Sequence, residues 1–115
     1  MGGIAIESVS KVFSGSGGTT AVFERFSLLL EEAKITTLLG PSSCGKTTLL
    51  NLIARLEPPS AGSIKLAMER SARVGYAMQQ APLLPWRTLA ENAMLGTEIV
   101  GGARETKRRE IDEYF

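Results

Sequence analysis

The run Gly40-Pro41-Ser42-Ser43-Cys44-Gly45-Lys46-Thr47 fits the pattern G-x-x-x-x-G-K-[ST], and each part of it answers a need of phosphate binding. The glycines let the backbone turn its N–H groups inward around an anion. A helix starting directly behind the loop adds unpaired N–H groups and the positive end of its dipole. Lys46 carries a cation on an arm long enough to reach β- and γ-phosphates, and the Thr47 hydroxyl is a hard oxygen ligand for Mg²⁺. The candidate nucleotide-phosphate residues are therefore Gly40, Ser42, Ser43, Cys44, Gly45, Lys46, Thr47 and Thr48. Lys46 is also a candidate catalytic group and Thr47 a candidate metal ligand. The competing reading is a chance glycine- and serine-containing loop with a surface lysine.

Such a loop needs a strand before it and a helix after it, and the sequence offers both. Lys34 to Leu39 is a short, β-branched, apolar run that predicts a buried strand. Leu49, Leu50, Leu52, Ile53 and Leu56 recur at helical spacing and predict a helix over about residues 46–56. Upstream, Ile4 to Phe13 alternates loosely through Ile4, Ile6, Val9 and Val12, and Ala21 to Glu32 reads as a second strand. The glycine-rich turn Ser14 to Gly18 between them predicts an antiparallel pair. Downstream, Glu57-Pro58-Pro59-Ser60-Ala61-Gly62 stops the helix, and short strands are expected at 63–68 and 73–78. A loop over 79–87 follows. Thr88-Leu89-Ala90-Glu91 has the form of a capping box and opens a helix ending near Gly101-Gly102. The charged stretch Arg104 to Phe115 reads as helical, with Glu105–Arg109 and Arg108–Asp112 at i,i+4 spacing.

Four places carry further chemistry. Phe13, at a strand end, is either an exposed stacking face or a core residue. Gln79, with Gln80 beside it, offers a neutral amide whose oxygen can ligate Mg²⁺ or orient an attacking water; the plain alternative is two polar loop residues. Leu83, Leu84, Pro85 and Trp86 form an apolar loop cluster, suited to a docking surface or to packing against the chain itself. Cys44 is a reactive thiol or a small loop filler.

Composition narrows the classes. The chain has 115 residues, 43% of them hydrophobic and 22% charged, with net charge +1. That suits one domain at most and gives no reason to propose nucleic acid as a partner. One cysteine permits no internal disulfide, and the absence of histidine removes imidazole chemistry from this stretch of chain. No apolar run approaches the roughly 20 residues of a membrane helix, and the first residues lack a secretory layout. The expectation is a cytoplasmic protein that meets a membrane only through a partner.

Four features in order resemble the ATP-binding cassette (ABC) transporter ATPase subunit, over essentially the whole chain. They are Ser8-Val9-Ser10-Lys11-Val12-Phe13, Gly40 through Leu50, Glu57 through Ile64, and Val74-Gly75-Tyr76-Ala77-Met78-Gln79 followed by Leu83-Leu84-Pro85-Trp86-Arg87-Thr88. The resemblance implies an α/β fold: a partial P-loop NTPase core with an N-terminal antiparallel β-subdomain. It implies that Phe13 stacks on adenine, that Gln79 is the catalytic and metal-facing glutamine of the Q-loop, and that ATP and Mg²⁺ are the ligands. It implies a transmembrane permease subunit docking at Leu83–Trp86 and a second ATPase subunit or self-association. The last run is most like importers of the nitrate, sulfonate and taurine group. The glycine-serine turn at 14–18 is similar to the family's signature motif but precedes the phosphate loop, and it reads as a turn.

The departures matter as much. Ser43 stands where the family has glycine, so a positive φ there costs about 1 kcal/mol. The signature motif, Walker B and the switch histidine lie beyond residue 115, so 1–115 reads as the N-terminal part of the nucleotide-binding domain. Whether it acts as an enzyme stays open: efficient hydrolysis by this stretch alone is not expected, and an uncovered apolar sheet face is. A non-catalytic interaction fragment and another P-loop class, such as a small kinase, stand as the rival readings.

Overall fold

The computed structural model describes residues 3–67, 74–80, 83–101, 108–109 and 111. The chain divides into two compact units, residues 1–76 and 77–115.

The first unit is a three-stranded antiparallel sheet with a short helix against it. Strand β1 (Gly3–Gly15) lies in the centre, between β2 (Gly18–Glu31) and β3 (Ala61–Ala67). The β1–β2 hairpin closes on the pair Gly15 and Gly18, so the strands run further into the glycine-rich turn than the sequence suggests. Helix α1 (Lys46–Ile53) lays Leu49, Leu52 and Ile53 on Ile6 and Val9. Ile4, Phe23, Phe26, Leu28, Leu30, Leu38 and Ile64 pack around that centre.

The loose alternation along β1 has a physical cause. Its register against β2 slips between Ile6 and Val9, and Ser8 sits at φ 47°. The extra residue of this bulge moves the inward face from Ile4 and Ile6 to Val9 and Lys11. Lys11 is therefore buried, where sequence alternation points Val12 inward. Serine side chains take up backbone N–H groups along the irregular strands: Ser27 accepts from Ser8 N, Ser10 from Arg25 N and Ser60 from Val12 N, at 2.9, 3.0 and 3.0 Å.

Two expected strands do not form among the described residues. Residues 34–41 and 74–78 have no regular structure. A strand exists through its neighbours' hydrogen bonds, and among the described residues the sheet is complete as β2-β1-β3. Of the apolar run only Leu38 reaches the core, while Ile35 and Leu39 are 99% and 90% exposed. Helix α1 also ends three residues before the expected Leu56. Arg55 takes φ 58°, and the N–H groups of Arg55 and Leu56 turn back to Leu52 O and Asn51 O at 3.2 and 2.9 Å. This is a Schellman stop with arginine in the left-handed position.

The second unit is built on α2 (Leu89–Val100), whose first turn carries the expected capping box. Thr88 Oγ1 accepts from Glu91 N, and Glu91 Oε2 accepts from Thr88 N at 2.8 Å. Gly101 ends the helix at φ 72°. Arg108, Arg109 and Ile111 are helical. The rest of the charged stretch, including Glu105, Asp112, Tyr114 and Phe115, lies outside the described residues, as do Met68, Arg73, Ala81, Pro82 and Gly102.

Candidate functional site

The loop from Gly40 to Gly45 leads directly into α1, with Gly45 as N-cap at φ 97°. Glycine is required there. A Cβ would lie 2.7 Å from Val22 Cγ1 and 2.9 Å from Phe23 Cζ, so β2 packs flush against the loop's exit. Gly45 offers no side-chain cap and the first turn holds no acidic residue. Leu49 N is the amide that reaches back to Gly45 O, at 2.9 Å. The N–H groups of Lys46, Thr47 and Thr48 precede it, in the turn where α-helices have donors to spare for an anion.

Lys46 folds over the loop. Its ammonium donates to Gly40 O at 2.7 Å and Pro41 O at 2.6 Å, and lies 3.5 Å from Cys44 Sγ. The cation is thereby held at the mouth of the loop by weak carbonyl partners, which a phosphate oxygen replaces at a gain. Ser42, Ser43 and Cys44 are exposed and form the turn. Ser43 adopts φ 67°, the conformation in which serine is strained and glycine is not. Thr47 is exposed on the first helical turn next to Lys46, and its hydroxyl oxygen suits a hard cation. The helix start, cation and hydroxyl thus fit a nucleotide phosphate with Mg²⁺.

Phe13 lies near the hairpin end of β1, 42% exposed. It is not a core residue. The Lys11 ammonium sits 4.8 Å from its ring centroid. Lys11 also donates to Pro58 O at 2.9 Å and pairs with Glu57 Oε2 at 3.2 Å. Glu57 Oε1 accepts from Asn51 Nδ2 at 3.1 Å, and Asn51 Oδ1 accepts from Tyr76 O–H at 2.8 Å. Hydrogen bonds from Asn51 and Lys11 hold the Glu57 carboxyl below its ordinary range. The helix that starts at the phosphate loop therefore ends in a polar network reaching beneath Phe13. Sequence reading missed Lys11, Asn51, Glu57 and Tyr76, because nothing local pairs residues 46 positions apart; the lysine two places before Phe13 was the one available signal.

Gln79 and Gln80 are exposed at the start of the second unit. Beyond them, Trp86 is 75% exposed and Leu83 is exposed with it, while Leu84 is half-buried. Asn92 on α2 anchors this loop from below. Its side chain accepts from Leu84 N at 2.8 Å, and its Nδ2 lies 3.2, 3.2 and 2.9 Å from the carbonyls of Leu84, Arg87 and Thr88. Arg87 pairs with Glu98 at 2.8 Å, which raises the already high guanidinium pKa. Asn92 and Glu98 were also missed, being polar positions on a helix read only for its cap.

A glycine-capped helix behind a G-x-x-x-x-G-K-T loop, beside an antiparallel sheet, defines a P-loop NTPase of the ATP-binding cassette type. The ABC transporter model matches residues 23–115, and the chain belongs to that family. This removes the small-kinase reading. The chain is 42% identical over 97 residues to the taurine import ATP-binding protein TauB of Escherichia coli, covering 81% of this chain and 38% of that protein. It is 34% identical over 116 residues to the uncharacterized ABC transporter ATP-binding protein MJ0412 of Methanocaldococcus jannaschii, covering 97% and 43%. The fold matches a dimeric, post-hydrolysis structure of the ATP-binding cassette MJ0796 bound to ADP and Pi, with TM-score 0.81 and 25% identity, over 96% of this chain and 54% of that one. The chain thus spans between 38% and 54% of the length of these proteins.

Proposed function

We propose that residues 1–115 are the N-terminal part of an ABC nucleotide-binding domain that binds ATP with Mg²⁺, and that the whole protein couples ATP hydrolysis to import of a small solute. The observation that carries this is the loop itself: a glycine-capped helix N-terminus with Lys46 folded over it. Gly40, Ser42, Ser43, Cys44, Gly45, Lys46, Thr47 and Thr48 bind the phosphates, Thr47 holds Mg²⁺, Phe13 stacks on the base, and Gln79 serves the metal and the attacking water. Mg²⁺ held at Thr47 would supply positive charge to offset the charge that develops in phosphoryl transfer. Similarity to taurine import proteins supports a sulfonate-like cargo for the whole transporter. Runs 34–39 and 74–78 become strands when the remaining length found in the relatives supplies their neighbours.

The Leu83–Trp86 loop, pinned by Asn92 and exposing Trp86, is the contact for a membrane permease subunit, and the place of action is the cytoplasmic face of the membrane. No helix among the described residues is long and apolar enough to cross a membrane. A second ATPase subunit completes the assembly, as the dimeric structural relative supports. A non-catalytic role as an interaction fragment is the second reading, favoured by the exposure of Ile35, Leu39 and Trp86. It predicts self-association or permease binding without turnover.

Titration calorimetry with ATP and Mg²⁺ tests the first reading. The wild-type chain binds, and Lys46→Ala weakens binding at least about tenfold, since a charge-assisted pair to phosphate is lost. No binding, or binding indifferent to Lys46→Ala, sinks it. Permease capture unaffected by Trp86→Ala removes the assigned docking loop.

A further inference from the structure

We infer that Lys11 is a positioning and specificity residue for the nucleotide base: its ammonium, fixed against one face of Phe13, makes the opposite face a platform for an electron-rich purine. The inference rests on the nucleotide-binding reading above and on Phe13 as base platform. Three observations carry it. The ammonium lies 4.8 Å from the ring centroid, inside cation–π range. It is immobilised there, because Glu57 Oε2 and Pro58 O hold the same nitrogen at 3.2 and 2.9 Å and the side chain is buried. Phe13 is still 42% exposed, so surface remains there for a planar ligand to cover.

The chemistry follows from the ring's charge distribution. An aromatic face is negative, and a fixed cation draws that density towards itself. The far face becomes electron-poor and stacks best on a large, electron-rich π-system. Adenine and guanine meet that description better than uracil or cytosine. Glu57 cancels the net charge of Lys11, so the nucleotide's phosphates gain nothing from it over distance. The effect is therefore confined to the base, and Lys11 differs in kind from Lys46.

The test compares ATP, UTP and inorganic tripolyphosphate on the wild-type chain, Lys11→Met and Lys11→Arg. Lys11→Met weakens ATP by about threefold and narrows the ATP-over-UTP ratio, the size of an exposed cation–π contact. It leaves tripolyphosphate unchanged, and Lys11→Arg restores the ratio because guanidinium also stacks on aromatic faces. Equal loss for ATP and tripolyphosphate would show a merely structural lysine and overturn the inference. So would an unchanged ATP-over-UTP ratio. ATP and UTP bound equally well by the wild type, with tripolyphosphate also bound, overturns it while sparing the phosphate loop, and no binding of any of the three overturns the nucleotide reading as well. Lys11 is buried, so Phe13→Leu provides a variant that leaves it in place. Without the ring the ATP-over-UTP preference is lost, and a preference that survives contradicts the inference.

Discussion

Ser43→Gly is the most direct probe of how the phosphate loop stores strain. Ser43 holds φ 67° one residue before Cys44 and two before the helix cap. An L-residue in that region costs roughly 1–2 kcal/mol, and glycine there costs nothing sterically. Glycine also frees the unfolded chain, which returns about 0.5–1 kcal/mol. The net expectation is a stabilisation of about 0.5–1 kcal/mol. With a urea slope of about 1.5 kcal/mol per molar, the midpoint rises by roughly 0.5 M with the slope unchanged. The readout must come from the first unit. The single tryptophan, Trp86, belongs to the second, so circular dichroism, or amide exchange at Leu49 and Leu52, is the assay. A midpoint that stays put or falls refutes the reasoning, since it means the serine side chain repays its own backbone strain.

Other expectations follow from single contacts. Leu52→Ala removes a side chain only 1% exposed at the α1–sheet junction, and should cost about 2–5 kcal/mol in urea unfolding; under 1 kcal/mol would mean α1 is not seated on β1. Asn92→Ala leaves the Leu84 N–H without its 2.8 Å acceptor, so the loop should loosen by about 1–3 kcal/mol, seen as faster Leu84 amide exchange while the α2 amides stay protected. Glu57 has a depressed carboxyl pKa in the fold, through Asn51 first and then Lys11. The unfolded chain therefore takes up the proton first as pH falls, so this contribution is present above about 4.5 and is lost below it, through the folded value. Glu57→Gln should be less stable than wild type near pH 6 and flatter between about pH 5 and 3; parallel profiles would remove Glu57 from the acid response.

The sequence made the phosphate loop, the β1–β2 hairpin and the Thr88 cap legible because each is a local device. Their residues lie within a few positions of one another and need no distant partner. The positive φ at Ser43 was foreseeable for the same reason. Residues 34–39 and 74–78 form no strand here because apolar, β-branched composition reports suitability for a strand, whereas a strand forms only beside another. The helix stop at Arg55 escaped notice because arginine seldom takes a left-handed C′ position and no glycine advertised it. Lys11 was hidden by a bulge: one extra residue at Ser8 reverses which face each later side chain occupies.

The central place of β1 also orders events during synthesis and folding. Its hairpin partner β2 arrives immediately, after a two-residue connection at Ser16-Gly17. Its other edge waits for β3 partners that lie 51 to 64 positions further on, from Ser10 with Ala61 to Gly3 with Ala67. Closing so long a loop carries an entropy that the hairpin does not. The nascent chain therefore passes through a stage in which β1 presents one unpaired edge and half-covered isoleucines, at a ribosomal pace of about 5–20 residues per second. The charged Glu7 on that edge keeps foreign strands away until β3 docks and Lys65 pairs with it.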